Sequence, residues 1–200
     1  MLLVATKAYA AALLSRQAGR TAKDKLVTLG LSDSERILVR AGRGGNALVL
    51  EPTPQGYALV GRAHPVGSKG GDGRQHRWLI QELAARLPGA SIETLVGEKS
   101  VDLLVLFDPA RHGRLLFHME EKSIEAGALV AIEVETSSPS KTAPNNVTKN
   151  SAVGIARTIV AVLPKNLDAT IAALTSRVRS DLRRRYTVAA VFELLVGLQR

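Results

Sequence analysis

Three acidic residues in the second half of this chain carry its first chemical signal. In 129–135 (LVAIEVE) the apolar Val130, Ile132 and Val134 alternate with Ala131, Glu133 and Glu135. The strand period of two puts both glutamates on one sheet face. Carboxylates held side by side repel, and a fold keeps them together when a cation or a shared proton neutralises them. The plainer reading is the solvent-facing side of an edge strand. Asp102 heads a second apolar run, 101–107 (VDLLVLF). An acid there is costly unless it lies at the sheet's end or in a site; a strand-terminal cap facing water is the plain alternative. Taken together, the three suit a hard divalent cation. Mg²⁺ takes oxygen ligands and keeps several waters, so two carboxylates suffice.

The elements that must position these acids read as alternating helices and strands. Residues 75–87 carry Ile80, Leu83, Ala84 and Leu87 at helical spacing, closed by Pro88-Gly89. A short strand follows at 91–96, then the Asp102 strand and the acidic strand. A helix is expected to start near Pro144 or Asn145, followed by a strand at 158–163, a helix at 167–179, and a last strand or buried segment at 186–195. This order implies an α/β sheet covered on both faces.

Asp102, thirty residues, then Glu133-x-Glu135 on two adjacent strands resembles the PD-(D/E)XK nuclease superfamily, the restriction-endonuclease-like fold, over about residues 75–195. The resemblance implies an α/β (α+β) domain with a central mixed sheet flanked by helices. It implies hydrolysis of a phosphodiester by water on Mg²⁺ (or Mn²⁺). Asp102 and Glu133 would be direct metal ligands, with the backbone carbonyl of Val134 between them. The ion would acidify a bound water and neutralise charge building on the phosphate. The chain departs from the family at one point, since Glu135 stands where the family has lysine. Some members carry glutamate there, to orient the water or bind a second ion. Others place the lysine on the following helix, where Asn146 and Lys149 share a face at i, i+3. Lys149 is then the catalytic lysine, with Lys141 and Lys99 as weaker alternatives and a solvated role open for each. Glu82, on the first helix of this domain, adds a carboxylate or is a surface glutamate. The strings GRQHRW, VDLLV, AIEVETS and NNVTK are also similar to nuclease modules of mobile-element and conjugation proteins.

The stretch 60–74 (VGRAHPVGSKGGDGR), with five glycines and a proline, reads as a linker. Domains are therefore expected at 1–61 and 75–200, joined by 62–74. The first is read as a helix over about 3–15, a second helix ending at Gly30, and a third over LSDSERILVRAG. Ser32 and Glu35 would form a capping box on that third helix. A strand follows at 47–50, a Pro-x-Pro-x-Gly break, and a return at 57–60. This order resembles a winged helix-turn-helix. In that family the third helix enters the major groove and the wing lies along the backbone. Carried over, Ser34, Glu35 and Arg36 start near base edges, Arg40 and Arg43 lie near phosphates, and Lys23 and Lys25 contact the backbone from the preceding helix. A helical packing or dimerisation module with solvated arginines is the alternative.

Charge agrees with a polyanionic partner. Lysine and arginine outnumber aspartate and glutamate by 27 to 18, a net +9, and residues 1–74 hold 11 basic against 5 acidic side chains. The absence of cysteine excludes disulfides and thiolate zinc sites. The four histidines, His64, His76, His112 and His118, have no ligand spacing. Trp78 reads as a core anchor. The Arg183–Arg185 run reads as a solvated helix end with phosphate contact open. The apolar start, interrupted by Lys7, reads as a buried helix rather than an export signal, and no segment reaches the roughly 18 apolar residues of a membrane span. A cytoplasmic, DNA-acting protein is expected, as a homodimer, part of a larger DNA-processing assembly, or a piece of a longer chain. The rivals are an inactive nuclease-fold DNA-binding module, and a winged-helix regulator whose α/β domain senses a ligand.

Overall fold

Strand pairing overrides local helix signals in the first part of the chain. The computed structural model describes residues 3–4, 16–39, 45–63, 73–113 and 124–198, and the chain divides into two compact units, Met1–Gln75 and His76–Arg200. The first unit runs β1 (Leu3–Val4), α1 (Arg16–Thr28), β2 (Ser32–Leu38), β3 (Asn46–Pro52) and α2 (Pro54–Leu59). Its sheet is ordered β1-β3-β2, antiparallel throughout.

The helix expected over 31–42 is instead β2. Its seven residues pair one for one with β3, from Ser32 opposite Pro52 to Leu38 opposite Asn46, and Val39 N–H meets the Gly45 carbonyl at 2.8 Å. A capping box satisfies two backbone donors, whereas the hairpin satisfies a whole ladder. The helix expected over 3–15 begins instead as strand β1, and residues 5–15 lie outside the described residues, as do 64–72 within the expected linker. The return at 57–60 is helix α2 rather than a strand. Pro54 opens it with a fixed φ, and Thr53 Oγ1 accepts the Gly56 N–H at 3.1 Å while donating to the Gly30 carbonyl at 2.6 Å. Gly56 is required there, since a Cβ would stand 2.0 Å from the Leu31 carbonyl oxygen.

Helix α3 (Arg74–Ala84) leads into the second unit. There follow β4 (Ser91–Val96), β5 (Lys99–Leu106), α4 (Pro109–His112), β6 (Leu129–Glu135), α5 (Pro139–Ala152), β7 (Arg157–Val162), α6 (Leu167–Arg177), β8 (Tyr186–Ala190) and α7 (Val191–Gly197), with 3₁₀ turns at Pro164–Asn166 and Ser180–Arg185. The five-stranded sheet is ordered β4-β5-β6-β7-β8. It is antiparallel from β4 to β6 and parallel from β6 to β8. The expected mixed sheet flanked by helices is therefore present. Strand β6 lies at its centre rather than its edge, with Val130 through Glu135 all buried.

Apolar faces of the helices close over this sheet. Trp78, Leu79, Ile80 and Leu83 of α3 are buried, and Ala143 and Val147 of α5 join Val160, Val162, Leu174 and Val178 in one cluster. Helix α5 starts five residues earlier than expected and carries Pro144 inside it. Proline has no N–H for the carbonyl four residues back. Here that carbonyl, of Ser140, accepts from Arg177 Nη1 at 3.1 Å. The last expected strand divides into β8 and α7. No described helix is long and apolar enough to cross a membrane.

Candidate metal centre

The sheet is distorted on both sides of Asp102. Toward β6, the ladder pairs Leu106 with Leu129 through Leu103 with Ile132 and stops there. Beyond that point Val134 N–H donates to Asp102 Oδ2 at 2.7 Å, so a carboxylate replaces a strand neighbour. Toward β4, pairing passes from Ile92–Leu103 to Thr94–Val101. The residue skipped opposite Asp102, Glu93, has a left-handed φ of +48°. Such a conformation costs a β-region residue on the order of 1 kcal/mol or more and clusters at functional sites. In an extended strand the N–H and C=O of one residue project to the same edge. The Val134 carbonyl therefore faces the β5 side as its amide does.

Glu133 and Glu135 lie one strand over, 2% and 7% exposed. Burial raises the pKa of Glu133, and repulsion from Asp102 raises it further, against the opposing pull of Lys149 and Asn150. Burial likewise raises Glu135. Its hydrogen bond from Thr142 opposes the shift, and the charges of Asp102 and Glu133 add to it. Both buried glutamates thus lie within reach of the charge of Asp102.

Helix α5 faces this pair with a polar stripe. Thr142, Asn146 and Asn150 stand at i, i+4 and i+8, with Lys149 at i+7, along one helical face. Thr142 Oγ1 donates to Glu135 Oε2 at 2.5 Å and Asn146 Nδ2 to Glu135 Oε1 at 2.8 Å. Asn150, fully buried, donates from Nδ2 to Glu133 Oε1 at 2.8 Å. Lys149 Nζ lies 3.3 Å from Glu133 Oε1 and donates to the Ser100 carbonyl at 2.6 Å, two residues from Asp102.

The three carboxylates therefore differ. Both oxygens of Glu135 are held by α5. Asp102 Oδ1 and Glu133 Oε2 carry no hydrogen bond among the described residues, and the buried Asn150 Oδ1 has no donor. Among the described residues, no group of three Asp, Glu, His or Cys side chains forms a ready metal cage. An oxygen set of two carboxylates and a carbonyl suits a Mg²⁺ that keeps its waters better than it suits a zinc ion.

Protein-family models, curated proteins and solved structures offer no match to this chain.

One residue that the sequence did not mark belongs to the site. His76 of α3, 6% exposed, donates from Nε2 to Asp102 Oδ2 at 3.2 Å. Its partner is 26 residues away, and no spacing rule reaches so far. Thr142 and Asn150 were also missed. Their spacing of four with Asn146 is a readable helical stripe once the helix begins at Pro139. Other expected residues fall elsewhere. Glu82 is ion-paired with Arg86 at 2.8 Å on α3, and Lys141 is exposed on α5. His112 accepts from Asp108 N at 2.9 Å and donates to the Pro88 carbonyl at 2.8 Å, which makes it a loop anchor.

The residues expected to contact DNA are partly reassigned. Arg36 is exposed on β2 rather than at the start of a helix, and Glu35 beside it is ion-paired with Arg74 at 2.9 Å. Lys23 and Lys25 lie on α1, Lys23 within 2.7 Å of Asp24. Arg40 and Arg43 lie outside the described residues.

Proposed function

We propose that this protein is a divalent-cation-dependent nuclease, hydrolysing phosphodiester bonds of DNA in its second unit. The observation that carries the reading is that Asp102 and Glu133, on adjacent strands, each keep a carboxylate oxygen with no hydrogen bond among the described residues. Burial first, and then the charge of Asp102, raises the Glu133 pKa. A hard cation relieves that repulsion.

In this reading Asp102, Glu133 and the Val134 carbonyl would hold Mg²⁺ or Mn²⁺. The ion, when bound, supplies an acidified water and neutralises charge on the phosphate. The protein's own groups supply position. Asp102 is fixed by the Val134 amide and by His76, and Glu133 by Asn150. Glu135 tethers the end of β6 to α5 and is a positioning residue rather than a ligand. Lys149 Nζ, 3.3 Å from Glu133 Oε1, would offset charge on a phosphate oxygen.

A DNA-contacting role for the first unit is supported by its order of helix, strand and strand, with sheet order β1-β3-β2. That order resembles a winged helix displaced by one element from the sequence reading. In this reading helix α1, bearing Arg20, Lys23 and Lys25, takes the groove-facing position.

A second reading, a nuclease fold without catalysis, is favoured by one observation. The Lys149–Glu133 ion pair already neutralises part of the buried charge. Plasmid incubated with Mg²⁺, Mn²⁺ or EDTA distinguishes the two. Under the nuclease reading, cleavage requires the cation and falls at least about 100-fold in Asp102→Asn and Glu133→Gln. Duplex binding without cleavage by the wild type would leave the second reading.

A further inference from the structure

We infer that the arginine-rich turn at 177–185 is a surface that binds the phosphate backbone of a nucleic acid. The inference rests on the nuclease reading for its choice of partner, but on different residues. Arg177, Arg179, Arg183, Arg184 and Arg185 are all exposed, and the nine residues contain a single acid, Asp181. The segment carries +4 of a whole-chain +9.

Five guanidinium groups in nine residues repel one another, and the fold does little to offset this. Among the described residues only Arg179 of the five is ion-paired, to Asp181, with its Nε donating to Oδ1 at 3.0 Å. Arg184 and Arg185 have neither hydrogen bond nor ion pair among the described residues. The turn is nevertheless held in place. Leu182 packs inward against the cluster of Ala143, Val147 and Val178. Arg183 donates to the Thr175 carbonyl at 3.4 Å, and Arg177 to the Ser140 carbonyl that Pro144 leaves unpaired. An anchored turn in which Arg184 and Arg185 have no ion pair among the described residues presents a fixed positive surface, and the planar guanidinium matches phosphate oxygens two at a time.

The chemistry selects nucleic acid over an anionic membrane. A segment that lies on a lipid surface inserts leucine or aromatic side chains beside its basic ones. In Ser180–Arg185 the sole apolar side chain, Leu182, faces the core. The turn is also fastened to α5, the helix that holds Glu133 and Glu135, so a strand bound at the arginines is anchored to the same element as the acids.

The test is fluorescence anisotropy of a labelled DNA duplex with the full chain in EDTA, measured between about 50 and 200 mM NaCl. Replacing Arg183, Arg184 and Arg185 together by glutamine should weaken binding about 10-fold or more at the lower salt. It should also reduce the slope of log K against log [salt] by up to about 3, near 0.9 for each phosphate the protein no longer neutralises. Arg184→Gln alone, which disturbs no hydrogen bond within the described fold, should reduce the slope by about 1 and covers the case in which the triple variant does not fold. An unchanged slope in Arg184→Gln, with the wild type binding duplex, overturns this inference and leaves the nuclease reading standing. So does arginine-dependent binding to phosphatidylserine vesicles with none to duplex. A wild type that cleaves DNA while its duplex affinity is indifferent to all three substitutions likewise overturns the surface alone.

Discussion

Asp102 reaches more of the site than any other side chain. One of its oxygens accepts from the Val134 amide and from His76 Nε2, and its charge adds to the burial that raises the pKa of both glutamates. Glutamates whose folded pKa lies above the unfolded value of about 4.5 bind more protons in the folded state. Stability without metal is therefore fullest below the unfolded pKa and is lost as pH rises through the raised folded values. Thermal melts in EDTA should show a lower Tm at pH 8 than at pH 5.5, and Mg²⁺ should reverse much of the loss. Glu133→Gln removes the charge that burial and Asp102 disfavour. In EDTA at pH 8 it should melt roughly 3 °C higher, the shift that about 1 kcal/mol produces in a domain of this size; a lower Tm would contradict the assignment. His76 acts through Asp102. His76→Leu should weaken Mn²⁺ binding by about 10–100-fold, as loss of a ligand's orienting partner does. His76→Gln, which retains a donor, should recover most of it. Equal Mn²⁺ affinity in the leucine variant would make His76 merely a packing residue.

At the scale of elements, α5 and β2 show how local signals and pairing compete. The acidic strand was legible because alternation over 129–135 survives in β6 without change, and Asp102 because an acid interrupts an otherwise apolar run. The start of α5 was not legible. Pro144 reads as a helix boundary, and only Arg177, 33 residues later in the chain, occupies the carbonyl it leaves open. Misplacing that start hid Thr142 and with it the stripe of four-residue spacing. Strand β2 was read as a helix because Ser32 and Glu35 imitate a capping box, whereas the pairing that decides the matter lies in β3. That hairpin brings Asp33 directly opposite Glu51, two like charges in register. Arg74 bridges them and Glu35, at 3.0, 2.8 and 2.9 Å. Arg74→Ala should lower the stability of the first unit by about 1 kcal/mol, because three partly exposed pairs are screened by water but leave their carboxylates repelling when the cation goes. Hydrogen exchange of the β2 and β3 amides checks this: faster exchange is expected there, and unchanged protection would show the clamp to be incidental.

For the whole molecule, two compact units were foreseeable from the glycine-rich stretch and the change of pattern across it. The excess of positive charge suits a polyanionic partner but does not say where one would dock. The candidate site draws on a central strand, its antiparallel neighbour and one helix, each from a different stretch of chain. Sequence spacing reports the first two and is silent on the third. The most direct test is a calorimetric titration of the intact protein with Mn²⁺, repeated for Asp102→Asn, Glu133→Gln and Glu135→Gln. Expected is one wild-type site that Asp102→Asn and Glu133→Gln each weaken at least about 100-fold, and that Glu135→Gln weakens by only about 10-fold. No binding by the wild type, or binding indifferent to Asp102 and Glu133, would contradict a cation held between these two carboxylates.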